Sequence, residues 1–289
     1  MPYPMIGKKI MFSSALNLTT NIGAFVELIK VFRLRGRLIY ELAKREILDR
    51  YTGQVFGAFW AIGHPLMLIL IYIFIFGFVF QMRLENSLDM PLNYTSYMLA
   101  GLIPWLVFSE VLGKASSLII NNANVVKQVV FPIEVFPIKT ALASLATFLI
   151  FLVLLTIYTI VANGFLPWTY VFVPFLAVFQ ALAMIGVSYL LSALGAYFRD
   201  LKDFVQIFNS IAFFIMPILY LPEAIPGTLR PLLYANPLSY MVWTYQDALY
   251  FGAFRHPWAW AVFVLGSLVI FVFGYRVFRR LSVMFGNVL

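Results

Sequence analysis

The stretch Phe56-Gly57-Ala58-Phe59-Trp60-Ala61-Ile62-Gly63-His64-Pro65-Leu66-Met67-Leu68-Ile69-Leu70-Ile71-Tyr72-Ile73-Phe74-Ile75-Phe76-Gly77-Phe78-Val79-Phe80 decides the fold class. It exceeds the roughly 20 apolar residues that an α-helix needs to cross a hydrocarbon core about 30 Å thick. Backbone amides and carbonyls find no water in lipid, so such a run must satisfy its own hydrogen bonds and is read as a helix. Similar runs follow over 97–120, 137–162, 170–198 and 258–278. A run over 204–221, with Pro217 near its end, is marginal in length. The expectation is an all-α integral membrane protein with six transmembrane helices. Residues 1–55 form an N-terminal segment outside the lipid, 56–278 the six-span domain and 279–289 a C-terminal tail.

Composition agrees. Of 289 residues, 63% are hydrophobic and 11% charged, and the mean hydropathy is +0.92. A soluble domain carries roughly 25% charged residues, so this chain cannot cover a water-facing surface. There is no cysteine, which excludes disulfides, thiolate metal sites and thiol catalysis. His64 and His256 lie far apart, and neither has a second histidine or a carboxylate at ligand spacing, so no metal site is expected. Gly7-Lys8-Lys9 and Gly113-Lys114-Ala115 lack the leading glycine and the hydroxyl of a phosphate loop, so ATP hydrolysis by this chain alone is not expected.

The net charge of +8 is distributed unevenly. With six spans both termini share one side. That side holds every Lys and Arg of residues 1–55 together with Lys114, Lys127, Lys139, Arg199, Lys202, Arg276, Arg279 and Arg280. Only Arg83, Arg230 and Arg255 fall on the other. The positive-inside rule makes both termini cytoplasmic. A basic chain also suggests nucleic acid, but basic residues scattered over several span ends favour the topological reading.

Three segments are not simple spans. Over 33–52, Leu38, Leu42, Ala43, Ile47 and Tyr51 recur on one face, while Arg37, Glu41, Lys44 and Asp49 favour the other. Glu41 with Arg45 and Glu46 with Arg50 stand at i,i+4 spacing. The reading is an amphipathic helix in the membrane interface, serving either as an anchor or as a docking element for a cytoplasmic partner. The segment 121–137 is too apolar for an idle loop and reads as a tight turn on the headgroups or a short helix inserted into a partner subunit. In the outer region over 221–257 and just before it, Pro217, Pro222, Pro226, Pro231 and Pro237 fall within 21 residues and exclude a continuous helix. Re-entrant half-helices or surface-lying helices remain as the readings.

Glu110 lies inside the second span, four residues before Lys114. It is either a functional intramembrane carboxylate or half of a local ion pair near a helix end. One carboxylate without a companion is thin support for a proton-coupled carrier. The aromatics belong to interfacial belts and helix packing. Tyr72, Tyr189, Tyr220, Tyr240, Trp243 and Tyr245 are also candidates to line a saccharide path.

Several local patterns occur in a fixed order. They are Leu42-Ala43-Lys44-Arg45-Glu46-Ile47 with Arg50-Tyr51 and Gly53, then Gly57-Ala58-Phe59-Trp60 with Pro65-Leu66, then Gly101-Leu102-Ile103-Pro104-Trp105 and Glu110. Asn121 through Phe131-Pro132, Glu134 and Pro137 follow, then Tyr197-Phe198-Arg199-Asp200, Pro217-Ile218-Leu219-Tyr220 and Asn236-Pro237-Leu238. Together they resemble the membrane subunit of bacterial ABC-2 type exporters, specifically those that move O-antigen, capsule or teichoic acid. One departure is Gln246-Asp247, where many relatives carry an Arg-Asp pair.

The resemblance implies a homodimer in the bacterial inner membrane, paired with two copies of a separate ATPase subunit that holds ATP and Mg. It also implies a channel between the two copies for an undecaprenyl-pyrophosphate-linked polysaccharide. On that reading Asn121, Asn124, Lys127, Phe131, Pro132, Glu134 and Glu46 would couple to the ATPase. Arg37, Lys44, Arg45 and Arg50 would attract the lipid pyrophosphate. Tyr72, Trp105, Tyr189, Tyr220 and Trp243 would line the channel, and Pro217, Pro222, Pro226, Pro237 and Asp247 would belong to the outer gate. The alternatives are an ABC-2 exporter of a drug or small lipid and an integral membrane transferase. The absence of clustered carboxylates or His-Asp pairs on a loop argues against the transferase.

Overall fold

A computed structural model describes residues 18–79, 91–128 and 131–288. Among them every regular element is helical. Lys8 and Lys9, Arg83, Glu85 and Asp89, and Val129 and Val130 lie outside the described residues.

The order along the chain is α1 (Leu18–Asp49), then a 3-10 turn (Gly57–Phe59) running into α2 (Trp60–Tyr72) and a π-helical end (Ile73–Val79). Next come α3 (Tyr94–Ala115), the short α4 (Leu118–Asn121) and α5 (Ala123–Gln128), and α6 (Val135–Asn163). A 3-10 turn (Trp168–Phe172) leads into α7 (Val173–Tyr197), followed by α8 (Leu201–Ile215), α9 (Arg230–Ala235) and α10 (Pro237–Gln246). A π turn (Asp247–Phe251), α11 (Pro257–Ser282) and α12 (Phe285–Val288) complete the chain.

Five helical stretches are long and apolar enough to cross a membrane: Gly57–Val79, Tyr94–Ala115, Val135–Asn163, Trp168–Tyr197 and Pro257–Ser282. Each matches an expected span to within a few residues. The sixth expected span, over 204–221, overlaps α8, whose 15 residues extend about 22 Å and fall short of a hydrocarbon core. The reason is Pro217. It disfavours helical geometry in the residue before it, and Met216 is extended, with ψ 152. The chain continues without helix until Pro222, and the Tyr220 hydroxyl turns back to donate to the end carbonyls of α8, Phe214 O at 2.8 Å and Ile215 O at 2.9 Å.

The core is built on α3, most of whose residues are buried. Helices α6, α7 and α10 pack around it, and α7 makes its closest pairing with α11. That pairing depends on glycine: a Cβ on Gly274 would land on the Gly186 carbonyl, and one on Gly186 would sit 2.6 Å from the Ile270 backbone. In lipid, apolar side chains gain nothing from leaving the solvent, so close backbone packing and buried hydrogen bonds hold helices together. Two such bonds cross the core. Gln180 Nε2 donates to Pro104 O at 3.0 Å, and the Tyr245 hydroxyl donates to Gln180 Oε1 at 2.6 Å. Gly164, with φ 81, closes α6 in the left-handed conformation expected of a glycine C-cap.

Candidate functional site

Helix α1 begins at Leu18, well before the stretch expected from amphipathicity, and its last turns run beside the first turns of α6. Contacts between the two advance in step along both helices. Arg35 Nη1 is 3.5 Å from Glu134 Oε2, Lys139 Nζ is 3.3 Å from Glu46 Oε2, and Arg50 Nη1 donates to Thr147 Oγ1 at 3.3 Å. Thr140 Oγ1 also donates to Glu46 Oε2 at 3.3 Å. The two helices therefore run parallel.

The second span joins this seam from behind. Arg50 Nη2 is 2.8 Å from Glu110 Oε1, and Lys114 Nζ is 2.6 Å from the same oxygen and 3.9 Å from Glu46 Oε1. Glu110 is therefore the bridge between two cations on different helices, which combines the local-pair reading with a tertiary one. The i,i+4 partner expected for Arg50 was Glu46, but the fold turns Arg50 to Glu110 and gives Glu46 to Lys139 and Lys114. Arg45 pairs with Asp49 at 3.4 Å rather than with Glu41. Beside the network lies a cavity of about 580 Å³ whose wall includes Arg45, Glu46, Arg50, Lys114, Lys139 and Phe131.

The connection after α3 resolves into two short helices, α4 and α5. Leu118 and Ile119 are buried as its root, while Asn121, Asn124 and Lys127 are exposed at its tip. Phe131 folds back onto Phe136, ring centroids 5.1 Å apart. Pro132 and the two residues after it form the turn into α6. At that turn Glu134 meets both ends of the described chain: Oε2 faces Arg35 on α1, and Oε1 is 3.2 Å from Arg279 Nη1 on α11. Its carbonyl accepts from the Tyr189 hydroxyl at 2.9 Å.

A model of the ABC-2 type transporter family matches residues 37–250. The chain belongs to the ABC-2 type transporter family. It is 26% identical over 254 residues to the O-antigen export system permease protein RfbA of Klebsiella pneumoniae, covering 87% of this chain and 95% of that protein. A second protein of that name from Klebsiella pneumoniae is 28% identical over the same length and shares. A third, from Myxococcus xanthus, is 28% identical over 223 residues, 76% of this chain and 83% of the relative.

Within this ABC-2 fold the four basic residues expected to act as one patch divide. Arg45 and Arg50 line the cavity, while Arg37 is exposed on the opposite side of α1 and Lys44 borders a separate groove. The expected channel aromatics divide as well. Trp105, Tyr189 and Trp243 are at most 2% exposed, because tight helix packing leaves them no open face within the chain. Tyr72, stacked on Phe76 at 6.2 Å, and Tyr220 keep partly open faces.

At the opposite end of the bundle, the proline-broken region folds inward: α10 packs on α3 and α11, and Asp247 is fully buried. Its carboxylate accepts from the His256 backbone N at 2.9 Å, from Trp260 Nε1 at 3.1 Å, and contacts His256 Nδ1 at 2.9 Å. His256 stacks on Trp243 at 5.4 Å. Sequence spacing missed the Asp247–His256 pair, which forms because Gly252, with φ 66, reverses the chain between them. Pro217 is an acceptor here, its carbonyl taking Gln246 Nε2 at 2.8 Å and the Tyr97 hydroxyl at 3.2 Å. Pro222 is buried, and Pro226 and Pro237 are exposed. Gln246 thus occupies a neutral hydrogen-bonding position beside the buried carboxylate. Among the described residues no group of three or more potential ligands is arranged to hold a metal.

Proposed function

We propose that this chain is the transmembrane subunit of an ATP-driven exporter that moves a lipid-linked polysaccharide of the O-antigen, capsule or teichoic acid type out of the cytoplasm. Two copies form the channel in the bacterial inner membrane, with both termini cytoplasmic. Two copies of a separate ATPase subunit hold ATP and Mg and supply the energy. The family membership and the names of the relatives support the reading.

The single observation that carries the mechanism is the double grip of Glu134 on Arg35 and Arg279. A push from the ATPase on the exposed tip at Asn121, Asn124 and Lys127 travels down Phe131 and Pro132 to the base of α6. There Glu134 passes it to α1 and α11 at once, while Glu46, held by Lys139 and Lys114, keeps α1 in register with the second span. The basic wall of Arg45, Arg50, Lys114 and Lys139 attracts the pyrophosphate head of the substrate on the cytoplasmic side. The outer region of Pro217, Pro222, Pro226, Pro237 and Asp247 acts as the gate.

The test is the complex reconstituted in proteoliposomes with its ATPase subunit and a lipid-linked glycan. Glu134→Gln is expected to keep ATP hydrolysis while losing most transport. Wild-type transport in that variant would overturn the coupling role. Deletion of the gene that removes surface polysaccharide supports the substrate class, and deletion that alters only drug tolerance refutes it.

A further inference from the structure

The face of α1 turned away from the charge network carries a second concavity. It is an open groove of about 440 Å³ between α1 and the start of α6, floored by Gly36, Ile39, Ala43, Ile47, Leu142 and Ala146. That volume lies within the roughly 300–1,000 Å³ typical of small-ligand pockets. The floor is apolar, and no charged network crosses it.

The rim is polarised along its length. Arg33, Arg37, Tyr40 and Lys44 recur at three- and four-residue spacing, which places them in one row beside the groove, and all four are exposed. Leu48, 52% exposed, ends the row. Glu46 and Asp49 lie on the opposite face, where both are already paired, and Glu41, four residues after Arg37 and three before Lys44, is the carboxylate beside the row. Because α1 and α6 run parallel, the basic end of the groove lies toward Glu134 and its apolar end lies beside Ala146, further into the third span.

We infer that this groove binds one anionic phospholipid of the surrounding leaflet, its acyl chain on Ala43, Ile47 and Ala146 and its phosphate against Arg37, Tyr40 and Lys44. Charge complementarity selects the occupant. A row in which Arg33, Arg37 and Lys44 outnumber the single flanking carboxylate, Glu41, favours an anionic headgroup, and a long side chain such as Lys44 covers apolar surface with its stem while its ammonium meets phosphate. The site is separate from the substrate reading above, since the cavity lined by Arg45 and Arg50 opens on the other side of α1. Occupancy would hold α1 against α6 and so set the stiffness of the seam.

The experiment is native mass spectrometry of the full-length chain in detergent, titrated with phosphatidylglycerol, phosphatidylcholine or undecaprenyl pyrophosphate. The wild type is expected to retain one phosphatidylglycerol per chain in preference to phosphatidylcholine. Arg37→Gln with Lys44→Gln should weaken retention by roughly tenfold, the scale of two basic side chains near an anionic surface. Ala146→Phe should abolish it by filling the floor, with an unchanged melting temperature reporting an intact fold. Equal retention of both phospholipids, undiminished retention in the charge variant, or retention of undecaprenyl pyrophosphate alone would overturn the assignment. None of these outcomes bears on whether Glu134→Gln uncouples transport.

Discussion

Arg50 Nη2 lies 2.8 Å from Glu110 Oε1, which ties the end of the N-terminal helix to the inside of the second span. Both side chains are about a quarter exposed or less, Arg50 at 20% and Glu110 at 27%. Such a pair is worth more than a surface ion pair and less than a fully buried one. Glu110→Gln and Arg50→Gln should each lower stability by roughly 1–2 kcal/mol. Because Arg50 and Glu110 hold each other, either single variant already removes their contact, and the double variant should cost less than the two single losses combined. Thermal melting of the four proteins of this cycle checks it, and additive losses would show that the two residues do not interact.

Glu134 presents the opposite balance. Its partners Arg35 and Arg279 are 42% and 50% exposed, so solvent screens both contacts and their loss should cost less than about 1 kcal/mol. Glu134→Gln should therefore melt within a few degrees of the wild type while transport falls. A large drop in melting temperature would mean that the grip is structural.

Asp247 is fully buried and is contacted by three nitrogens. Asp247→Ala leaves the His256 and Trp260 N–H groups without an acceptor and should destabilise by roughly 2–4 kcal/mol. Asp247→Asn keeps an acceptor oxygen and should cost less. Melting followed by tryptophan fluorescence reports the change locally, because Trp243 stacks on His256 and Trp260 bonds to the carboxylate.

Gly274 and Gly186 meet backbone to backbone. Overpacking costs about 1–3 kcal/mol where side chains can yield, and here only backbone can move. Gly274→Ala should fall at or above the top of that range, seen as a lower yield of folded protein. Gly266→Ala, at a position with nothing within 4 Å, should be neutral in the same assay.

Tyr245→Phe removes the hydroxyl that Gln180 accepts at 2.6 Å. Hydrogen bonds between membrane helices are worth about 0.6 kcal/mol on average and up to about 2 kcal/mol. A loss of that size in chemical denaturation is expected, and Gln180→Leu should exceed it by also freeing the Pro104 carbonyl.

Much of the fold was legible residue by residue. Span positions follow from summed hydropathy, which is local, so the expected 137–162 and the observed Val135–Asn163 differ only at the ends. Pro217 marks where α8 must stop, and the 15 residues before that stop are too few to cross a hydrocarbon core. The site was legible as a set of residues but not as a set of partners. Glu46 reads in sequence as a neighbour of Arg50, one turn away. In the fold its carboxylate faces cations from other spans, Lys139 at 3.3 Å and Lys114 at 3.9 Å.

Hydropathy, the distribution of charge and short motifs are properties of short windows of chain, and from them alone come the membrane-spanning class, the side expected to hold the termini and the absence of a phosphate loop. Which charge faces which, that Trp105, Tyr189 and Trp243 lie inside the packing, and that Asp247 reaches His256 depend on which helices are neighbours. Neighbours are chosen by contacts between residues far apart in the chain, such as Gly186 with Gly274 and Gln180 with Tyr245, and no local window contains both members of such a pair.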